Sequence, residues 1–215
     1  TPQSWAQSAQ SLGMGARQCT RGEGLRHYLF WFMVPALMGP AAFNTAFFFH
    51  QVHIAEVKAL PHLELVAMFP VYTVIVIGAM MVSGFALDRF GTGRVLPFML
   101  LPMVVAFLVF AVSEGAPALL IGMVFLAMTT GANSVVPNAF WAEYYGSAHL
   151  GRIKAMAAAV MVLGTAIGPG LTGVAIDLGI GIETQFVVIA GYFAFAAVMV
   201  TIGVTRARAS LADTA

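Results

Sequence analysis

Charge is what this sequence has least of. Lys and Arg number 10 and Asp and Glu number 9 in 215 residues, so 9% of the chain is charged while 60% is hydrophobic. Soluble domains carry about 25% charged residues. Too few polar side chains are available to cover such a chain in water, which excludes a soluble globular domain. Disorder is excluded as well, because it needs low hydrophobicity and high net charge. The formal net charge of +1 gives a nucleic-acid partner no electrostatic support. Cysteine is almost missing: Cys19 stands alone, so there is no intrachain disulfide framework. No apolar secretory leader opens the chain, whose first 26 residues are polar and small. There is no G-x-x-x-x-G-K-[ST] phosphate loop and no G-x-S-x-G elbow. Neither an enzyme nor a cofactor is expected. A metal is not expected either, because His50, His53 and Glu56 lack a further ligand.

What the chain has in abundance is apolar length. Six stretches contain no Asp, Glu, Lys, Arg or His: Tyr28–Phe49, Leu65–Leu87, Val95–Ser113, Gly115–Ala142, Ala155–Ile176 and Thr184–Thr205. A helix needs about 20 apolar residues to cross the hydrocarbon core. A β-barrel would instead show segments of about 10 residues with alternating polarity, and that pattern is absent. The sequence therefore predicts an all-α membrane protein. Its spans fall at about 28–50, 64–87, 95–113, 116–141, 153–177 and 184–205, inside a bundle at 27–205. Residues 1–26 read as a cytoplasmic linker and 206–215 as a cytoplasmic tail. Thr20 and Glu23 have capping-box spacing, which points to a short helix there. The chain starts at Thr1 behind this polar lead-in, and the expectation is a piece of a longer protein.

Orientation follows from the basic residues. Arg17, Arg21, Arg26, Arg89, Arg94, Arg152, Lys154, Arg206 and Arg208 fall on one side of six antiparallel spans, and Lys58 alone falls on the other. The expectation is an integral protein of the plasma (inner) membrane with both termini cytoplasmic.

Polar side chains inside a bilayer mark an interior side or a pathway. Span three has none before Ser113, and span six has only Tyr192 and Thr201 between Phe186 and Val204, so both read as outer helices. Span four carries Thr129, Thr130, Asn133, Ser134 and Asn138. On it, Thr130, Asn133, Pro137 and Trp141 share a face by helical spacing. Pro40, Asn44, Phe47 and Gln51 make a similar stripe on span one, and Tyr72 and Thr165 add to spans two and five. Hydroxyls such as Ser83, Thr129 and Ser134 serve equally well as glue between helices. An asparagine has two donors and an acceptor and is harder to satisfy in a dry contact. The candidate cavity residues are Asn44, Gln51, Tyr72, Thr130, Asn133, Asn138 and Thr165.

Two runs have a motif character. Between spans two and three lies Gly84-Phe-Ala-Leu-Asp88-Arg89-Phe-Gly91-Thr-Gly-Arg94. Gly84 permits close packing, and Gly91 and Gly93 allow a tight reversal. This run resembles the G-x-x-x-D-[RK]-x-G-[RK]-[RK] loop of the major facilitator superfamily, which lies between the second and third helices of each six-helix half. It departs from that pattern in placing Thr92 and Gly93 at the basic positions, with Arg94 one residue late. In span five, Gly164-x-x-x-Gly168-Pro169-x-x-x-Gly173 offers small residues for packing and a proline bend. It resembles the eleventh helix of the same superfamily and is similar to the G-x-x-x-G-P run of its antiporter branch. The entry, with Thr20 to Arg26, Phe30-Trp31 and Phe48-Phe49-His50, resembles the central loop and seventh helix of the monocarboxylate and oxalate–formate antiporter-like branch.

The resemblance implies the carboxy-terminal half of a twelve-helix secondary transporter, a symporter or antiporter, with spans one to six as helices seven to twelve. Its partners would be the amino-terminal six-helix half, the lipid bilayer and a small-molecule substrate held between the halves. Asp88, Arg89 and Arg94, with Gly84 and Gly91, would form a cytoplasmic gating loop. No span holds a cation, which weakens an anionic substrate and leaves a neutral or amphipathic one, or an anion site in the other half. For proton coupling, the nearest titratable groups are His50 and Glu56, with His53 and Glu64, at the outer end. The alternative is a complete six-helix protein acting as a homodimeric carrier or channel subunit.

Overall fold

The computed structural model describes residues 19–212, with side chains as far as Ala207. The linker residues 1–18, with Arg17, and the side chain of Arg208 lie outside the described residues. Among the described residues there is no strand, and six helices are long and apolar enough to cross a membrane. Their α-helical cores are α1 (Tyr28–Phe49), α2 (Phe69–Phe90), α3 (Leu101–Val112), α4 (Gly115–Tyr145), α5 (Leu150–Asp177) and α6 (Ile182–Ala212). The protein is an all-α membrane protein.

Short helices join these spans. Arg21–Arg26 is started by the capping box: Glu23 N–H donates to Thr20 Oγ1 at 3.4 Å, and Thr20 N–H donates to Glu23 Oε2 at 2.8 Å. Gln51–Val57 and His62–Ala67 build the connection between α1 and α2. The sequence suggests one continuous third span over 95–113. The structure instead gives Thr92–Val95, a 3₁₀ turn at Leu96–Phe98, and only then α3. Pro97 and Pro102 lack an N–H to continue the ladder, and each sits at the start of a new segment. At the other end of the chain, α6 runs on to Ala212, through most of the stretch that reads as a tail. No Gly or Pro interrupts 206–212, and Ala, Arg and Leu there favour helix.

Neighbour relations order the bundle as a series. α2 packs on α4, α4 on α3, α3 on α6, α6 on α1, and α1 on α5. α2 and α5 stand at its two ends. They are also the least covered: 11% and 17% of their most apolar stretches are buried, against 39–50% for the other four spans.

In lipid the hydrophobic effect does not press helices together, so close packing does. The core between α1, α3 and α6 is built of phenylalanines. Phe47 stacks on Phe110 with ring centroids 4.5 Å apart, and Phe107 stacks on Phe193 at 5.7 Å. At the α1–α5 contact, Gly168 faces the Ala42 carbonyl and Gly164 the Met38 carbonyl, with no room for a Cβ at either. Gly131 does the same for α4 against the backbone of α2 at Val76. Gly91, at φ +74°, turns the chain after α2, a conformation that favours glycine.

Candidate functional site

Four helices converge on one polar region. α1 contributes Asn44 and Thr45, α4 Thr130 and Asn133, and α5 Thr165, and together with Pro40, Ala41, Met161 and Val162 they line a cavity of about 370 Å³. Tyr72 of α2 reaches across to it. Its hydroxyl donates to Thr130 Oγ1 at 3.0 Å and lies 3.5 Å from Asn44 Oδ1. Thr130 in turn donates to Leu126 O at 2.9 Å, so its oxygen is free to accept from Tyr72. A phenol has one proton, so the shorter contact is the one it satisfies. Asn133 Oδ1 is buried and has no hydrogen-bond partner among the described residues. A bare amide oxygen at this depth is costly, and a donor entering the cavity would relieve it. No residue of α3 or α6 reaches the cavity lining.

Five residues singled out from the sequence thus come together: Asn44, Tyr72, Thr130, Asn133 and Thr165. Gln51 and Asn138 do not line the cavity. Gln51 sits beyond the end of α1, its Oε1 buried without a partner. Asn138 is exposed, one turn past Ser134, and donates back to the Ser134 carbonyl at 2.9 Å. Thr45 and Met161 line the cavity without having been singled out. Thr45 directly follows Asn44 on a helix, a signal that was present, whereas a methionine facing a cavity looks like any lipid-facing one.

The end of the bundle away from the termini is held by a hydrogen bond of His50 and an ion pair of Lys58. His50 Nε2 lies 3.0 Å from Pro169 O, tying the end of α1 to α5 at its proline. Gly173 lies beside the imidazole, where a Cβ would meet the ring at 3.5 Å, an ordinary van der Waals contact. Lys58, with a side chain 4% exposed, pairs with Glu183 at 2.5 Å and points a second hydrogen at Ala111 O at 3.5 Å. That places the end of the short helix Gln51–Val57, the end of α3 and the start of α6 around one cation. Sequence reading missed this pair, because Lys58 and Glu183 are 125 residues apart. Glu56, the other candidate for proton coupling, is exposed.

At the opposite end, Thr92 donates to Glu143, joining the loop after α2 to the end of α4. The threonine that replaces a basic residue of the loop pattern therefore has its own partner. Asp88, Arg89 and Arg94 are exposed and form no ion pair among the described residues, although Arg89 lies 5.9 Å over the Phe90 ring. Among the described residues nothing else approaches within 4 Å of where a Cβ of Gly84 would sit, so no packing role for it shows there.

A family model described as the Major Facilitator Superfamily matches residues 28–214. No curated protein gives a significant match to the chain.

Proposed function

The chain belongs to the Major Facilitator Superfamily, a family of membrane transporters, and on that premise we propose that it is one six-helix half of a secondary carrier for a small neutral solute. The observation that carries the reading is Asn133. Its amide oxygen is buried without a donor at a cavity whose other polar groups are Asn44, Thr45, Thr130 and Thr165. Among the described residues no charged one lines that cavity. A solute offering a hydroxyl or amide N–H fits such a wall, and a carboxylate finds no cation on it.

The exposure of α2 and α5 supports the second part of the proposal. Both flank the cavity region and both leave most of their surface uncovered. A second six-helix half would close over their cavity-side faces, with the solute between the halves near the midplane and transport by rocking of one half against the other. Asp88 and Arg89 would meet that half from the cytoplasmic side, and the termini would lie in the cytoplasm of a cell bounded by this plasma membrane. His50 is the group closest to a proton-coupling role, at the outer end of α1. Within the superfamily, the monocarboxylate and oxalate–formate branch is the one the entry segment resembles, and an anion would then have to find its cation in the partner half.

Uptake by the intact protein in proteoliposomes tests this. The probes are labelled glycerol and acetamide as neutral solutes, and lactate and oxalate as anions. Saturable uptake of a neutral solute that Asn133→Leu abolishes is the expected result. Uptake of only the anions, unchanged in Asn133→Leu, would overturn it.

A further inference from the structure

A second cavity is larger than the polar one. It is an open trough of about 840 Å³ on the other side of α2, bounded by α4 and by the segment leading into α3. It runs along α2 from Val74 to Phe90. Sixteen residues at 1.5 Å rise make that about 24 Å, longer than the roughly 15 Å of one leaflet's hydrocarbon. Small residues form its floor: Gly78 and Ala79 on α2. Phe98 and Met128 are among its walls. Nearly every other lining side chain is apolar, and the one charged group in it is Arg94, at the end where the chain's basic residues gather.

Two neighbouring carboxylates bear on that charge. Glu143 accepts from Thr92, and Asp88 is exposed but does not line the trough. Arg94 is exposed and has no ion-pair partner among the described residues. Gly84 and Asp88 lie on a different stripe of α2 by its 100° steps, so the trough and the loop face are separate surfaces.

We propose that this trough holds one anionic phospholipid of the leaflet on the arginine side, its acyl chain along Gly78–Ala86 and its phosphate at Arg94. An apolar channel of this length matches an acyl chain. A lone, unpaired guanidinium at its mouth matches an anionic headgroup, and basic pockets between spans on that side are where such headgroups bind. The site is distinct from the solute cavity and stands or falls independently of transport.

The test uses the intact protein in phosphatidylcholine vesicles carrying a trace of spin-labelled phosphatidylglycerol or of spin-labelled phosphatidylcholine with the same chains. The restricted fraction is expected to favour phosphatidylglycerol roughly fivefold, the weight of one basic side chain at an anionic surface. Arg94→Gln is expected to bring the two lipids level. Arg89→Gln, at a residue that does not line the trough, is expected to leave most of the preference. Gly78→Leu fills the floor where no atom lies within 4 Å of the new Cβ, and it is expected to cut the restricted fraction of both lipids while the melting temperature holds. Excess soluble glycerol phosphate is expected not to displace the lipid. Equal binding of the two lipids by the wild type, as would follow if a second half covers the trough, would overturn the proposal. So would a preference that survives both Arg94→Gln and Gly78→Leu, or displacement by glycerol phosphate.

Discussion

His50 donates its Nε2 hydrogen to the carbonyl of Pro169, 119 residues later in the chain and 3.0 Å away in space. The same carbonyl also lies 3.1 Å from Thr172 Oγ1, one turn on, whose single hydrogen can serve either it or Gly168 O at 3.0 Å. His50→Leu therefore removes a bond between helices without leaving the acceptor bare. Interhelical hydrogen bonds in membranes are worth about 0.6 kcal/mol on average. A small fall in melting temperature in detergent is expected, partly restored by His50→Gln. A loss of several kcal/mol would show that His50 holds more than this bond.

The α1–α5 contact should be far less forgiving. A Cβ at Gly168 would overlap the Ala42 carbonyl, and backbone cannot swing away as a side chain can. Gly168→Ala is expected to cost about 1–3 kcal/mol, as overpacking does. Gly170→Ala, two residues away with nothing within 4 Å, is the control and is expected to stabilise slightly through helix propensity. Thermal unfolding of the two variants side by side checks the contrast.

Lys58 and Glu183 are unequally exposed, at 4% and 53%, and the two partners should respond unequally to removal. Lys58→Met returns Glu183 to solvent and is expected to cost less than about 1 kcal/mol. Glu183→Gln leaves a buried ammonium with only the distant Ala111 carbonyl, and a cost of up to about 3 kcal/mol is expected. Equal effects of the two substitutions on unfolding would refute this account of the pair.

His27, just ahead of α1, has an unpartnered buried Nδ1, and burial lowers its pKa from the ordinary 6.5. A base whose folded pKa is depressed binds fewer protons folded than unfolded, so stability rises with pH across the interval below 6.5. The protein is expected to melt at progressively lower temperature as pH falls below that value. His27→Phe should flatten this part of the curve, and an unchanged slope would remove His27 from the explanation.

Tyr72 gives a probe of the cavity itself. Tyr72→Phe deletes the hydroxyl that donates to Thr130 and neighbours Asn44, without changing the ring's contacts with Phe48. If the cavity binds solute, KM in an uptake assay is expected to rise by about tenfold, the worth of one hydrogen bond. An unchanged KM would place Tyr72 among the bonds that only fasten helices.

The polar residues of α1 and α4 were legible because asparagine is rare inside apolar runs, and Asn44, Thr130 and Asn133 do share the cavity. Gln51 and Asn138 carried the same signal and lie elsewhere. Helical spacing assigns a face but not a depth, and it is blind to a side chain that folds back on its own helix, as Asn138 does on Ser134. The partner of Lys58 was not legible at all, since a charge pair 125 residues apart leaves no local pattern.

By itself the sequence determined the class of protein and the number of crossings, because bilayer thickness and the cost of burying charge act on each segment separately. It also determined the reversal after α2, through Gly91, but not the break ahead of α3, where Pro97 and Pro102 interrupt a run that reads as one span. The tertiary structure alone decided which helices touch. Which backbone Gly168 or Gly131 would admit, which carbonyl His50 would find, and on which side of α2 a trough would open are all set by close contacts between distant segments. Such contacts arise from shape at the sub-ångström scale of packing, and no spacing of residues along one chain encodes them locally.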